Sequence, residues 1–278
     1  MSRIIRVLGV QVAPDTTDKN VNLDKMEKML EDHSWFKPDI VVLPEVFNVG
    51  IVSPARAIET AESVPGVTYD KLSSWASSLN TYMIGGSIIE MCSDGKCRNN
   101  SMLFDRNGKL LCNYYKQHMF NYYGSNEGEF NIAGEETVLA KTDIANIGLT
   151  VCFDLRFTEL YRTLAENGAE IIVVPAAWPY PRLDHWVTLN KARAIENSCF
   201  IVAVNQVGSV PPKRINAGNS MIIDPWGGIV AGCGEKETVM MAEIDLDQVS
   251  KLREEFPLLR DRNMKAYKNL KIHDTTTN

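Results

Sequence analysis

No apolar run in this 278-residue sequence is long enough to cross a bilayer. The longest, Ile171 to Trp178, falls far short of the ~20 residues a spanning helix needs. A basic surplus is missing too. Lys plus Arg number 29 against 35 Asp plus Glu, a formal net charge of −6, which argues against a nucleic-acid partner. There is no CxxC, and the four histidines, at 33, 118, 185 and 273, are scattered. No zinc site is expected from that pattern. Six cysteines, at 92, 97, 112, 152, 199 and 233, do not make a disulfide framework in a chain long enough to build its own core. The opening MSRIIRVLGVQVAPD has no continuous apolar stretch and no small-residue cleavage site. It reads as a first strand and not a secretory signal, so a cytoplasmic protein is expected. Repeats, low-complexity stretches and linker-like breaks are also lacking. The expectation is one domain over residues 1–272 and a loose polar tail over 273–278.

What is present is an ordinary globular composition, 45% hydrophobic and 23% charged, arranged as short apolar runs alternating with helical patterns. Strands are expected at 4–11, 40–43, 82–89, 101–105, 110–115, 144–151, 171–175, 200–205, 220–224 and 238–244. Helices are expected at 21–34, 69–79, 159–167, 186–196 and 246–255. Runs such as DIVVLPE and EIIVVPA are apolar without alternation, which suggests strands covered on both faces of an α/β fold. Asp94-Gly95 and Asp105-Arg106-Asn107-Gly108 read as hairpin turns. Asp224-Pro225-Trp226-Gly227-Gly228 reads the same way. Gly168 follows a helix where a left-handed cap is favoured.

Three segments carry chemistry. Val41-Val42-Leu43-Pro44-Glu45 sets a carboxylate just past a strand, where sites gather in α/β sheets. Alone, Glu45 reads as a plain loop carboxylate. Tyr114-Tyr115-Lys116-Gln117-His118-Met119-Phe120 sets a lysine after another strand. Alone, it reads as a surface lysine lying along apolar neighbours. Gly148-Leu149-Thr150-Val151-Cys152-Phe153-Asp154 sets a thiol between a strand and a helix, where backbone N–H groups can receive an oxyanion. Alone, Cys152 reads as an inert buried cysteine. Together the three strand ends offer a nucleophile, a base and a cation. A thiol near its ordinary pKa of ~8.5 needs such help at neutral pH.

Pro44-Glu45, the YKxHxF of Tyr115 to Phe120 and the GLxVCFDLRFxE of Gly148 to Glu159, in that order, resemble the nitrilase superfamily of carbon–nitrogen hydrolases. The resemblance continues through Pro175 to Pro179, Asp184-His185-Trp186, Ala192 to Asn197 and Asn219 to Gly227. It spans nearly the whole chain, from Val7 to about Tyr267. It implies a four-layer α-β-β-α sandwich and a homodimer that stacks two such sandwiches. It also implies a Glu–Lys–Cys triad, with Cys152 as nucleophile, Lys116 as the lysine and Glu45 as general base. Glu127 is the match to a second family glutamate, with Glu129 its local competitor. The CFDLRF and WPxPRxxHW segments look most like the omega-amidase branch, which hydrolyses small dicarboxylate monoamides such as 2-oxoglutaramate. Amidases of deaminated glutathione, carbamoyl hydrolases and nitrilases are the alternatives within the superfamily. A non-catalytic α/β binding protein would have lost one of the triad, and a Cys–His hydrolase has only His118 near a strand-end motif.

The implied cycle needs no metal or organic cofactor. Lys116 and the backbone N–H of Phe153 would hold the oxyanion, and Glu127 would keep Lys116 charged and orient the amide. An acidic substrate calls for a cation, and Arg156 and Arg182 are the nearest in sequence; Arg156 serves equally well as a brace for the loop after the nucleophile. Trp178 and Trp186 are expected in the pocket wall, His118 as support for the lysine loop, and Arg193 with Glu196 as an ion pair along a helix.

Overall fold

The structure is a computed structural model that describes residues 2–123, 125–210 and 214–273. Residues 274–278 of the expected tail lie outside the described residues.

Period-two alternation in the first strand builds the frame. Along Ile4–Gln11, Ile5 and Val7 turn toward a second sheet, while Leu8 and Val10 turn toward helices. The larger sheet runs Thr238–Asp245, Ile4–Gln11, Ile40–Val42, Tyr82–Ile84, Cys97–Phe104. Ile88–Met91 continues the Tyr82–Ile84 edge of Cys97–Phe104, and Leu110–Tyr115 takes its other edge. The smaller sheet runs Ile229–Gly232, Met221–Ile223, Phe200–Asn205, Ile171–Ala176, Asn146–Leu149, Leu139–Lys141. The two sheets share one apolar core, in which Val7, Val42 and Ile84 meet Ile147, Val173 and Val202.

Helices close both outer faces. Lys19–Asp32 and Val67–Leu79 bury Leu23, Met26, Leu30, Leu72 and Trp75 on the larger sheet. Thr158–Glu166 and Leu183–Asn197 bury Leu160, Tyr161, Leu164 and Ala194 on the smaller one. The order α-β-β-α is the four-layer sandwich that the family resemblance implies. Strands buried on both faces explain the unalternated runs: every residue of Ile171–Ala176 and of Phe200–Asn205 is buried.

The expected strand 82–89 is broken in two. Gly86 has φ +56°, and a Cβ there would stand 1.9 Å from the Pro44 carbonyl oxygen. The break lets the chain pass flush against the loop that carries Glu45. The Asp94-Gly95 and Asp105–Gly108 turns join antiparallel partners as expected, and Gly168 sits at φ +94° after its helix.

Candidate active site

Strand ends and register bring the site together. Ile40–Val42 delivers Glu45, whose own carbonyl accepts from Gln206 Nε2 at 2.6 Å. Val46 follows at φ +40°, a costly conformation for a β-branched residue, and its N–H is held by Ser87 Oγ at 3.1 Å. Pairing of Asn100 with Tyr115 sets Lys116 beside Asn99, and the Lys116 N–H donates to the Asn99 carbonyl at 2.9 Å. From the other sheet, Asn146–Leu149 runs into a short 3-10 turn, Cys152–Arg156, and Cys152 opens it at φ +50°. The sequence reading extends that strand to 151 and starts a helix near 158. The intervening turn is what lifts the thiol out of the sheet.

Glu45, Lys116 and Cys152 therefore meet, although 71 and 36 positions separate them along the chain. Lys116 Nζ donates to Glu45 Oε1 at 2.8 Å. The same ammonium contacts both oxygens of Glu127, at 2.9 and 2.8 Å. Glu45 Oε2 accepts from the Ala177 N–H at 2.9 Å, and the Cys152 thiol lies beside the Glu45 carboxylate. It is Glu127 that reaches Lys116, whereas Glu129 is exposed and held by Asn126.

Burial and charge fix the protonation states. Burial alone would discharge Lys116, but the carboxylates of Glu127 and Glu45 outweigh it and hold the ammonium pKa well above its usual value. Burial likewise works against an ionised Glu45, and Lys116 overrules it, so Glu45 titrates below the usual carboxyl value. The Cys152 thiol is driven the other way. Burial, reinforced by the charge of Glu45, pushes it well up against the pull of Lys116. At neutral pH the three rest as carboxylate, ammonium and thiol.

Two further residues, Asn99 and Asp154, support these groups. Asn99 Nδ2 bridges Glu45 Oε1 at 3.0 Å and Glu127 Oε1 at 3.2 Å. Asp154, wholly buried, accepts from Tyr114 OH at 2.7 Å and the Val151 N–H at 2.9 Å on one oxygen. Its other oxygen meets the His118 N–H at 3.1 Å and His118 Nδ1 at 2.7 Å. Asp154 thus clamps the lysine loop to the cysteine turn. Its place two residues after Cys152 is the signal that could have found it. His118 supports the lysine loop as expected, with its ring stacked on Phe157 at 3.5 Å.

Aromatic and basic side chains pack about the Cys152–Arg156 turn. Phe153 packs edge-on against Phe120 and Phe157. Trp178 Nε1 donates to the Arg182 carbonyl at 2.8 Å. Trp186 is not a wall residue: it is fully buried against Trp178, with its indole N–H on the Asn219 carbonyl. Arg156 lies over the Trp178 ring at 4.8 Å and donates to His185 Nδ1. Arg182 lies against both the Phe120 and Tyr123 rings, 5.3 and 5.0 Å from their centres. Arg214 was missed. Its guanidinium donates to the Ala177 carbonyl and, through Nε, to Asn216 Oδ1 at 3.1 Å. Arg193 pairs with Glu196 at 2.7 Å as expected.

Known proteins resemble this chain in sequence and fold. A deaminated glutathione amidase of Synechocystis sp. is 35% identical over 251 residues, covering 87% of this chain and 92% of that protein. A 2-oxoglutaramate amidase of Bacillus subtilis is 34% identical over 246 residues, covering 88% and 93%. The crystal structure of Saccharomyces cerevisiae Nit3, a member of branch 10 of the nitrilase superfamily, superimposes with a TM-score of 0.87 at 29% identity, covering 94% of this chain and 97% of Nit3. The carbon-nitrogen hydrolase family model matches residues 6–254, and the chain belongs to that family.

Proposed function

We propose that the protein is an amidase that cleaves a small linear amide to a carboxylic acid and ammonia through a thioester on Cys152, acting as an omega-amidase on dicarboxylate monoamides such as 2-oxoglutaramate. The carrying observation is the buried Glu45 carboxylate, hydrogen-bonded to the Lys116 ammonium and set beside the Cys152 thiol.

The chemistry follows from that geometry. Glu45 takes the thiol proton as sulfur attacks the amide carbon. The carbonyl π pair moves onto oxygen, and the Lys116 ammonium and the Phe153 N–H receive the oxyanion. Collapse breaks the C–N bond, and Glu45 returns its proton to nitrogen, so ammonia leaves. Glu45 then takes a proton from water, whose oxygen attacks the thioester, and the thiol departs as the acid forms. Glu127 keeps Lys116 charged throughout.

The name of the Bacillus relative supports the substrate, and so do the cations Arg156 and Arg182 beside the pocket. The name of the Synechocystis relative favours a second reading, an amide of deaminated glutathione. Ammonia release from wild-type enzyme across 2-oxoglutaramate, deaminated glutathione, neutral amides and nitriles separates them. Better turnover of neutral amides or nitriles would remove the omega-amidase reading. Acid-quenched enzyme should carry a thioester mass at Cys152, and an adduct on another cysteine would remove the nucleophile assignment.

We also infer a cytoplasmic homodimer. Six free cysteines suit a reducing compartment. Exposed Ile195, Trp226, Ile229 and Val230 give apolar surface for a second copy. Light scattering at the mass of a single 31.1 kDa chain would exclude the dimer.

A further inference from the structure

We propose that Arg214 is a specificity-determining residue of this site, its guanidinium receiving an anionic group of the amide substrate. The proposal rests on the reading of the site as an amidase for acidic amides, and it names the residue that selects them.

Three guanidinium groups, those of Arg156, Arg182 and Arg214, gather near Cys152. Arg182 repels Arg156 and Arg214 alike. Among the described residues, none of the three has a carboxylate within ion-pairing distance. Two of them are engaged otherwise. Arg182 is spread over the Phe120 and Tyr123 rings, and Arg156 lies over Trp178 and Phe153 with a hydrogen bond to His185.

Arg214 is held differently. It opens the strand Arg214–Ala217, which pairs with Val207–Val210 and touches the Pro179 segment through Asn216. Its Nε donates to Asn216 Oδ1, and its Nη2 donates to the Ala177 carbonyl. Both acceptors lead to Glu45. Ala177 gives its N–H to Glu45 Oε2, while Asn216 donates to Gln206 Oε1, and Gln206 donates to the Glu45 carbonyl. The guanidinium is therefore fixed one residue from the general base, with its Nη1 group uncommitted among the described residues. Burial pulls its pKa down, and the nearby Glu45 carboxylate pulls it back up.

Bracing alone does not account for the charge. Two neutral acceptors could be served by a neutral donor, and a largely buried cation without a counter-ion is costly. An arginine fixed at two points, with a free N–H edge, is suited to carboxylate pairing. The site as a whole sets four cations, Lys116, Arg156, Arg182 and Arg214, against three carboxylates, Glu45, Glu127 and Asp154, in a chain of net charge −6. That reversal of sign fits an anionic ligand.

The test compares Arg214→Gln and Arg214→Lys with wild type on succinamate, which carries a carboxylate, and on butyramide, which does not. Ammonia release gives kcat and KM for each. In Arg214→Gln, kcat/KM for succinamate should fall at least ~10-fold further than for butyramide, mainly through KM. Arg214→Lys should recover part of the difference, because it restores charge without the fork. Equal losses on both amides, or a loss in kcat alone, would mean that Arg214 only holds the Ala177 peptide, and would overturn the proposal. Near-UV circular dichroism checks that the fold is kept, and a misfolded Gln variant leaves the Lys variant to decide on the same ratio. If wild type itself does not favour succinamate over butyramide, the acidic-amide reading fails. If wild type does and Arg214→Gln keeps the same preference, only the Arg214 assignment fails.

Discussion

Replacing Glu45 by glutamine removes one charge and almost no shape. The carboxylate accepts from Lys116 Nζ at 2.8 Å and Asn99 Nδ2 at 3.0 Å on one oxygen, and from the Ala177 N–H at 2.9 Å on the other. All three partners are donors. A carboxamide has a single acceptor oxygen, so its NH2 must face a donor whichever way it is turned. One buried hydrogen bond is left unmade, at a cost of roughly 1–3 kcal/mol. Lys116 is not orphaned, because Glu127 holds it with both oxygens. The loss therefore stays below the ~3–5 kcal/mol of a broken buried ion pair. Against the ~5–15 kcal/mol stability of a natural domain, the variant still folds.

The chemical loss is larger than the structural one. A positioned general base contributes ~10²–10⁴-fold. Glu45 is proposed to act in both acylation and deacylation, so kcat should fall by ~10³–10⁴-fold, the upper part of that range. The thiol should move the opposite way. Burial is the first cause of its raised pKa and the Glu45 charge is the second. With that charge gone, the pH profile of iodoacetamide alkylation at Cys152 should shift to lower pH while hydrolysis collapses. Stopped assays of ammonia release and mass-resolved alkylation read the two effects separately. A folded Glu45→Gln enzyme with kcat within ~10-fold of wild type would refute the general-base assignment. An alkylation profile moved to higher pH would refute the electrostatic account of the thiol.

Cys152→Ala should keep the far- and near-UV spectra of wild type and show no turnover, since thiol and methyl differ little in volume; unfolding of this variant would mean Cys152 is chiefly structural. Asp154→Asn should lower kcat and also Tm, by several degrees on the scale of ~2–4 °C per kcal/mol, because four donors converge on that carboxylate; an unchanged Tm by calorimetry would contradict the clamp. Gly86→Ala should depress kcat strongly, since its Cβ would collide with the Pro44 carbonyl and move Glu45; wild-type kinetics would show that the loop position is not critical. Glu45 titrates below its ordinary value of 4.5, so its share of stability is complete above that value and is lost as pH falls through the folded-state value; Glu45→Gln should therefore flatten the acid limb of the stability–pH curve, and an unaltered limb would count against the ion pair.

The layers of the fold are legible where burial is two-sided. Ile171–Ala176 and Phe200–Asn205 announce themselves because every residue is apolar and covered, apart from Asn205. Short edge strands such as Leu139–Lys141 and Ile229–Gly232 do not, since half-exposed residues carry little periodicity. The same holds for the hairpin of Val207–Val210 and Arg214–Ala217, which explains why Arg214 escaped notice. Glu45, Lys116 and Cys152 were readable only as an ordered set, because no local pattern links them. Asn99 and Asp154 act through register and burial, which a sequence does not display. Trp186, expected in the pocket wall, is turned into the core by its helix.

Burial and the Glu45 charge explain why the site holds a protonated thiol and not a standing thiolate. Burial opposes ionisation of the sulfur most, and the Glu45 carboxylate adds to it against the pull of Lys116. Proton transfer to Glu45 becomes favourable only when the attacked carbonyl oxygen gathers charge beside Lys116. Under the proposed chemistry, the ammonium's strongest interaction is then made with the tetrahedral oxyanion and not with the free enzyme's sulfur. Interactions that strengthen in the transition state raise kcat, and those spent on the ground state do not. A buried, neutral thiol is also a poor target for stray electrophiles. The arrangement thus couples nucleophile activation to the arrival of an amide, which is the behaviour expected of a hydrolase whose cysteine must survive between turnovers.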